Sequence, residues 1–192
     1  MNDIEEQTPD RWTTATIYPD MWVNPDDDPR EGGQSLGDER TTLMEYVRTQ
    51  RLTLEMKCAD LGAEGMATRS VPPSTMSLLG LVRHMAGVEQ AWFRLILAGQ
   101  DVPRLWRTPD DRDADWNGAV PDPTVVAEAW RAWREECAFT NDFVAGAADL
   151  SVTDAKRAIS LREALLHLIE EYARHNGHAD LIRERVDGRV GQ

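Results

Sequence analysis

The stretch HLIEEYARHNGHADLIRERVDG, from His167 to Gly188, holds three of the chain's four histidines and a Glu-Glu pair on what its apolar spacing marks as one amphipathic helix. At about 100° per residue, Glu171, His175 and His178 fall within roughly 60° of one another, with His167 on the same face. One face therefore carries groups that bind metal ions. Axial rise separates them: at about 1.5 Å per residue His167 stands roughly 16 Å from His178, whereas Glu171 and His175 are only about 6 Å apart. The pairs Glu171/His175 and His175/His178 are each spaced to hold one ion, and all four side chains together are not. A third ligand must come from another element. The alternative is a helix face whose imidazoles find ordinary hydrogen-bond partners and whose glutamates make surface pairs, with no ion.

Those residues must be positioned by a fold, and composition bounds which one. A chain of 192 residues fits one domain, or one domain with an appendage. Its formal net charge of −13 argues against nucleic acid and anionic membrane surfaces as partners. Cys58 and Cys137 sit in apolar-periodic stretches without a CxxC spacing, the pattern of reduced, packed thiols in a cytoplasmic protein. The opening MNDIEEQTPDRW has no basic start followed by an apolar run, so no signal peptide is expected. The longest apolar segment, Met76 to Ala98, contains Arg83, His84, Glu89 and Arg94 and is expected as a helix buried in protein, not in lipid.

Residues 1–34 are rich in Pro, Asp and Gly and are expected to form an irregular segment that packs on the remaining domain, 35–192, through Trp12 and Trp22. Four helices follow. Asp38 caps the first, whose apolar positions include Leu43, Tyr46, Val47, Leu54 and Cys58, reaching to about Leu61. The stretch SVPPSTMS starts the second, with Leu78, Leu81, Val82, Met85, Val88, Trp92 and Leu95 as its stripe and an end near Gly99. A crossover loop from Asp101 to Asp122 has no helical period, and its acidic run Asp110 to Asp115 reads as solvated, with order around a cation as the other reading. Asp122-Pro123 opens the third helix, and Ser160 with Glu163 forms a capping box for the fourth. No stretch alternates as a strand. The fold class is all-α, a four-helix bundle with long connections, and bundles build metal sites from inward side chains on facing helices.

The remaining histidine, His84, lies within LVRHMAGVEQAWFR among core positions of the second helix. It reads either as a core histidine bonded to a carbonyl or carboxylate, or as the missing ligand if the bundle brings it against His175. The segments STMSLLGLVRHMAGVEQAWF and HLIEEYARHNGHADLIRE, in this order with a bundle between them, resemble the DinB-like superfamily of four-helix metalloproteins, specifically its mini-circle protein branch. The resemblance spans about Asp38 to Gly188. In that superfamily one histidine of the second helix and two residues four apart on the last helix bind a divalent ion, and relatives such as the mycothiol-dependent maleylpyruvate isomerases use Glu where others use His. Carried over, the resemblance implies His84, Glu171 and His175. His178 falls where many relatives carry a different polar residue, which leaves a second set open, His84, His175 and His178.

Such a set suits a divalent ion, zinc or nickel by ligand type, with manganese or iron also admitted. The resemblance implies a metal-dependent transferase, isomerase or hydrolase that uses a low-molecular-weight thiol, with a small-molecule substrate or thiol as partner and room for a homodimer. A non-catalytic stress or ligand-binding bundle with a structural or vestigial ion is the alternative. Phosphate-binding glycine loops, a Ser nucleophile elbow and HExxH are absent from the sequence.

Overall fold

A computed structural model describes residues 9–34, 36–154, 156 and 159–192. The first eight residues of the expected N-terminal segment thus lie outside the described residues. Helix α1 spans Glu39–Cys58, and its Asp38 cap accepts a hydrogen bond from the Thr41 amide at 2.8 Å. After the single-turn helix α2 (Ala63–Ala67), α3 (Leu78–Glu89) starts at Ser77, whose hydroxyl accepts from the Gly80 amide. It runs without a break into a π-helix, Gln90–Leu97. The crossover carries the four-residue α4 (Ala114–Asn117), which periodicity did not foretell; α5 (Pro123–Gly146) then begins at the Asp122 cap. Finally α6 (Leu161–Asp187) starts from Ser160 and stops at Gly188, which takes the left-handed conformation (φ +82°) that a helix end of this type requires.

The result is an all-α bundle, with α1 packed on α6, α3 on α5, and α3 also against α6. Among the described residues there are no strands, only two isolated bridges, Trp12 with Arg189 and Thr153 with Ser160. The core is filled by Val47 and Leu54 of α1, Leu78, Leu81, Val82 and Met85 of α3, Trp133 and Val144 of α5, and Leu161, Leu165 and Leu168 of α6. Each such side chain contributes roughly 1.5–3 kcal/mol by leaving water.

Three details depart from the sequence reading. Tyr46 is 60 % exposed, because the buried face of α1 passes through Val47, Arg51 and Leu54 instead. The first helix stops at Cys58, short of Leu61, and Asp60 follows in a left-handed conformation (φ +64°) that ends the helical path. In the second helix the core face moves from Val88, Trp92 and Leu95 to Glu89, Gln90 and Phe93. Glu89 still follows the α-helical phase of Val82 and Met85; beyond it the π-helix, whose i→i+5 bonding takes more residues per turn, makes each later side chain lag around the axis. Phe93 then faces inward, and Trp92 turns out onto the ring of His167, with centroids 4.4 Å apart.

At the α3/π junction Glu89 is fully buried. Its carboxylate accepts two bonds from the Arg51 guanidinium of α1 (2.8 and 2.9 Å), one from the Tyr172 hydroxyl of α6 (2.9 Å) and one from the Thr140 hydroxyl of α5 (2.6 Å). Tyr172 in turn accepts from the Trp133 indole of α5 at 2.7 Å. One anion thus holds all four long helices. Such a charge is tolerable only while paired and hydrogen-bonded.

Residues from the chain's start lie along the end of α6. The Trp12 amide donates to the Gly188 carbonyl at 2.9 Å, and its indole donates to the Asp187 carbonyl at 2.8 Å. Trp22 is 2 % exposed, with Lys57 4.1 Å and Arg189 4.0 Å from its ring centroid. These are cation–π distances.

Replacing Glu89 by Ala leaves Arg51 as a buried unpaired cation, and chemical denaturation is expected to show a loss of about 3–5 kcal/mol. Tyr172→Phe, which removes the bond to Glu89 and the one accepted from the Trp133 indole but keeps the ring and the Arg51–Glu89 pair, is expected to cost about 2 kcal/mol. Equal effects of the two changes would mean that the carboxylate does not organise the bundle.

Candidate metal centre

Two helices supply the converging side chains. His84 projects from α3, and Glu171 and His175 lie one turn apart on α6, where four-residue spacing puts them side by side. One ligand atom from each of His84, Glu171 and His175 lies within 4.8 Å of the other two; among the described residues this is the one group of three histidine, cysteine or acidic side chains close enough to hold an ion. The His84 and His175 rings are 4.7 Å apart, and His175 Nε2 is 3.4 Å from Glu171 Oε2. His178 stands outside that group, with its Nδ1 3.3 Å from Nδ1 of His175. His167 also stays outside, its Nε2 3.2 Å from Glu171 Oε1.

The ring nitrogens that point away from the centre are occupied. His84 Nδ1 is 2.9 Å from Asp115 Oδ2, which leaves Nε2 for the centre. On His175 the Nδ1 contact with His178 leaves Nε2 toward Glu171. Imidazole ligands are ordinarily oriented by a partner on the far nitrogen in this way. Burial raises the pKa of Asp115, but the hydrogen bond and charge of His84 outweigh it and hold the carboxyl below its ordinary range. For His175, burial first and then the nearby His84 charge push the pKa down to about 4, so the ring is neutral with a lone pair for coordination near pH 7.

Asp115 was not identifiable from the sequence as a partner of His84. It belongs to an acidic run that reads as solvated, and only the crossover path places it beside α3. That path is pinned by Arg83, which donates to the carbonyls of Asp115 (2.9 Å) and Ala114 (2.8 Å) and lies 4.0 Å from the Trp106 ring centroid. Trp116 stacks on His84, with centroids 5.0 Å apart and planes at 24°. Gly80 makes this approach feasible, because a Cβ there would sit 2.7 Å from the indole. Trp92, Trp106 and Trp116 line a cavity of about 210 Å³ that has His84 in its wall.

Neither cysteine is a nucleophile in this arrangement. Both are buried, and burial pushes the Cys58 thiol up to about 12 and Cys137 higher still. A thiolate for chemistry here must arrive with a ligand.

The sequence model of one protein family, MST (mycothiol-S-transferase), matches residues 42–188, well over half of the chain and including both helices of the centre. No curated protein matches the chain.

His175 makes the metal-free protein pH-sensitive. Its folded pKa is depressed below the ordinary 6.5, so its contribution to stability is complete above that pH and is lost as the pH falls toward about 4. Thermal unfolding of chelator-treated protein is expected to show a steeper fall in melting temperature across this window than His175→Gln does. Parallel profiles would show that the ring is not held neutral by the fold.

Proposed function

The chain belongs to the mycothiol-S-transferase family, and from that premise we propose that it is a metal-dependent enzyme that transfers or rearranges groups on a low-molecular-weight thiol, with His84, Glu171 and His175 as the ligands. The observation that carries this reading is the convergence of two imidazoles and a carboxylate whose far ring nitrogens are already engaged by Asp115 and His178. The donor set fits a divalent ion. Two neutral nitrogens and one carboxylate oxygen match zinc or nickel and also admit manganese or iron, and three protein ligands leave coordination positions free. When bound, the ion supplies a Lewis acid able to lower the pKa of a coordinated thiol.

The chain's own residues then have separable tasks. Asp115 keeps the His84 proton on Nδ1 and so keeps Nε2 available. His178 accepts the Nδ1 proton of His175 and does the same for the second ring. Trp116 covers His84 and limits the water that reaches it. Because Cys58 and Cys137 are buried and kept protonated, the protein supplies the site and the thiol supplies the sulfur.

Protein purified without a histidine tag is expected to contain about one equivalent of divalent metal by elemental analysis. His84→Ala, His175→Ala and Glu171→Gln should each abolish that content together with thiol transfer to a chromogenic electrophile. His178→Ala should retain the metal with affinity weakened about 10–100-fold, as loss of an orienting partner does. If His178→Ala empties the site while Glu171→Gln leaves it loaded, the ligand set is His84, His175 and His178. Metal retained without any thiol transfer would identify a non-catalytic bundle.

A further inference from the structure

The cavity beside His84 has a cationic lining in a chain of acidic balance. Its wall includes the guanidinium-bearing residues Arg104, Arg107 and Arg112, all from one nine-residue stretch of the crossover. The chain has 34 acidic against 21 basic residues, and several arginines elsewhere pair with that excess, as Arg48 does with Glu45, Arg94 with Glu136 and Arg162 with Glu39. Among the described residues none of the three cavity arginines is in an ion pair. Arg107 donates from Nε to the Arg112 carbonyl at 2.9 Å, which ties the two ends of the turn together and leaves its other nitrogens free of carboxylate. The acidic members of the wall do not cancel them: Asp115 is taken up by His84, and Asp113 is a single charge.

The backbone between these arginines is strained. Trp106 has φ of +64°, a left-handed conformation that costs a bulky residue free energy and that clusters at ligand sites. It is held there from outside the loop, by its indole bond to the Arg83 carbonyl at 2.9 Å and by the Arg83 guanidinium over its ring. A strained backbone, three cations without ion pairs and an open-mouthed cavity of about 210 Å³ meet at one place. That volume suits a small organic molecule and not a large conjugate.

We infer that this cavity is the subsite for the second substrate and that it selects a small carboxylate-bearing molecule, whose anionic end is bound by Arg104, Arg107 and Arg112 while its other end lies toward His84. Guanidinium groups are suited to this because their planar N–H pairs match the two oxygens of a carboxylate. The tryptophan walls would pack the carbon skeleton. As a substrate assignment this rests on the thiol-transfer reading of the adjoining centre; the binding of the anion rests on the cavity alone.

Succinate and its neutral diamide, succinamide, are the probes, followed by quenching of tryptophan fluorescence in metal-loaded and in chelator-treated protein. Saturable succinate binding is expected in both forms and no saturable succinamide binding in either. Arg104→Gln and Arg107→Gln should each weaken succinate about tenfold or more, the usual loss for a charge-assisted hydrogen bond. The triple Gln variant should lose binding and the triple Lys variant should keep part of it, all with unchanged metal content and melting temperature. These residues are exposed on a loop, so the variants fold. Equal binding of the two probes, no saturable succinate binding by the intact protein, or an affinity indifferent to the triple Gln change would overturn the inference. Succinate binding that vanishes on chelation yet ignores the arginines would assign the anion to the ion, overturning this subsite and leaving the metal centre in place. Arginine-dependent binding by a protein that takes up no divalent metal when metal is supplied would keep this subsite while the reading of the metal centre fails.

Discussion

A carboxylate sealed inside a helical bundle must be answered from every side, and Glu89 is answered by α1, α5 and α6 at once. This requirement fixes more than stability. Apolar side chains tolerate small rotations and slides of one helix on another, since dispersion contacts are non-directional, but hydrogen bonds at 2.6–2.9 Å do not. Tyr172 is bound to Glu89, and Tyr172 is the immediate neighbour of Glu171. Once that bond sets the rotation of α6 against α3, Glu171 and His175 are carried to the face that meets His84. The polar knot and the candidate ligand set are therefore two readouts of one registration, separated by little more than a helical turn.

The division of labour between helices and crossover follows from the same logic. Metal-type ligands sit on α3 and α6, where backbone hydrogen bonding and packing hold them to a fraction of an ångström. The groups that orient or cover them, Asp115, Trp116 and Trp106, come from the crossover, whose path is written by side-chain bonds to α3 through Arg83. Arg83 and His84 are consecutive residues, so one short stretch of helix both contributes to the centre and attaches the loop that encloses it.

How much of this was legible in the amino-acid sequence depends on whether the cause was local. Caps at Asp38, Ser77, Asp122 and Ser160 act on amides two or three residues away, so the starts of the four long helices could be read directly. The four-residue interval of Glu171 and His175 is likewise a property of one helix. His84 needed the resemblance, because its meeting with α6 is a matter of packing. The Glu89 network was hidden for a physical reason: Glu89 and Arg51 look like isolated polar residues in two apolar stripes, and only their separation of 38 positions closing in space reveals a pair. Asp115 was hidden in an acidic run, since nothing in five neighbouring acidic and basic residues distinguishes the one that turns inward. The exposed Tyr46 and the inward Phe93 were misassigned by an ideal helical wheel, which holds neither for a face centred on Arg51 nor for a π turn.

The π-helix at Gln90–Leu97 has a consequence for how such a chain can change in length. An α-helix lodged in a packed bundle gains a π turn when one residue is inserted into it, and the surplus residue is absorbed locally. Here the surplus lies directly after Glu89, so everything before it keeps the phase that serves the buried anion and His84, while everything after it is rephased to bury Phe93 and to present Trp92 to the cavity. Deleting a single residue in this stretch would restore regular winding and force one of those two phases on the whole helix. This one interior segment has its residue count dictated by the need to serve a polar knot and an aromatic wall from the same rod.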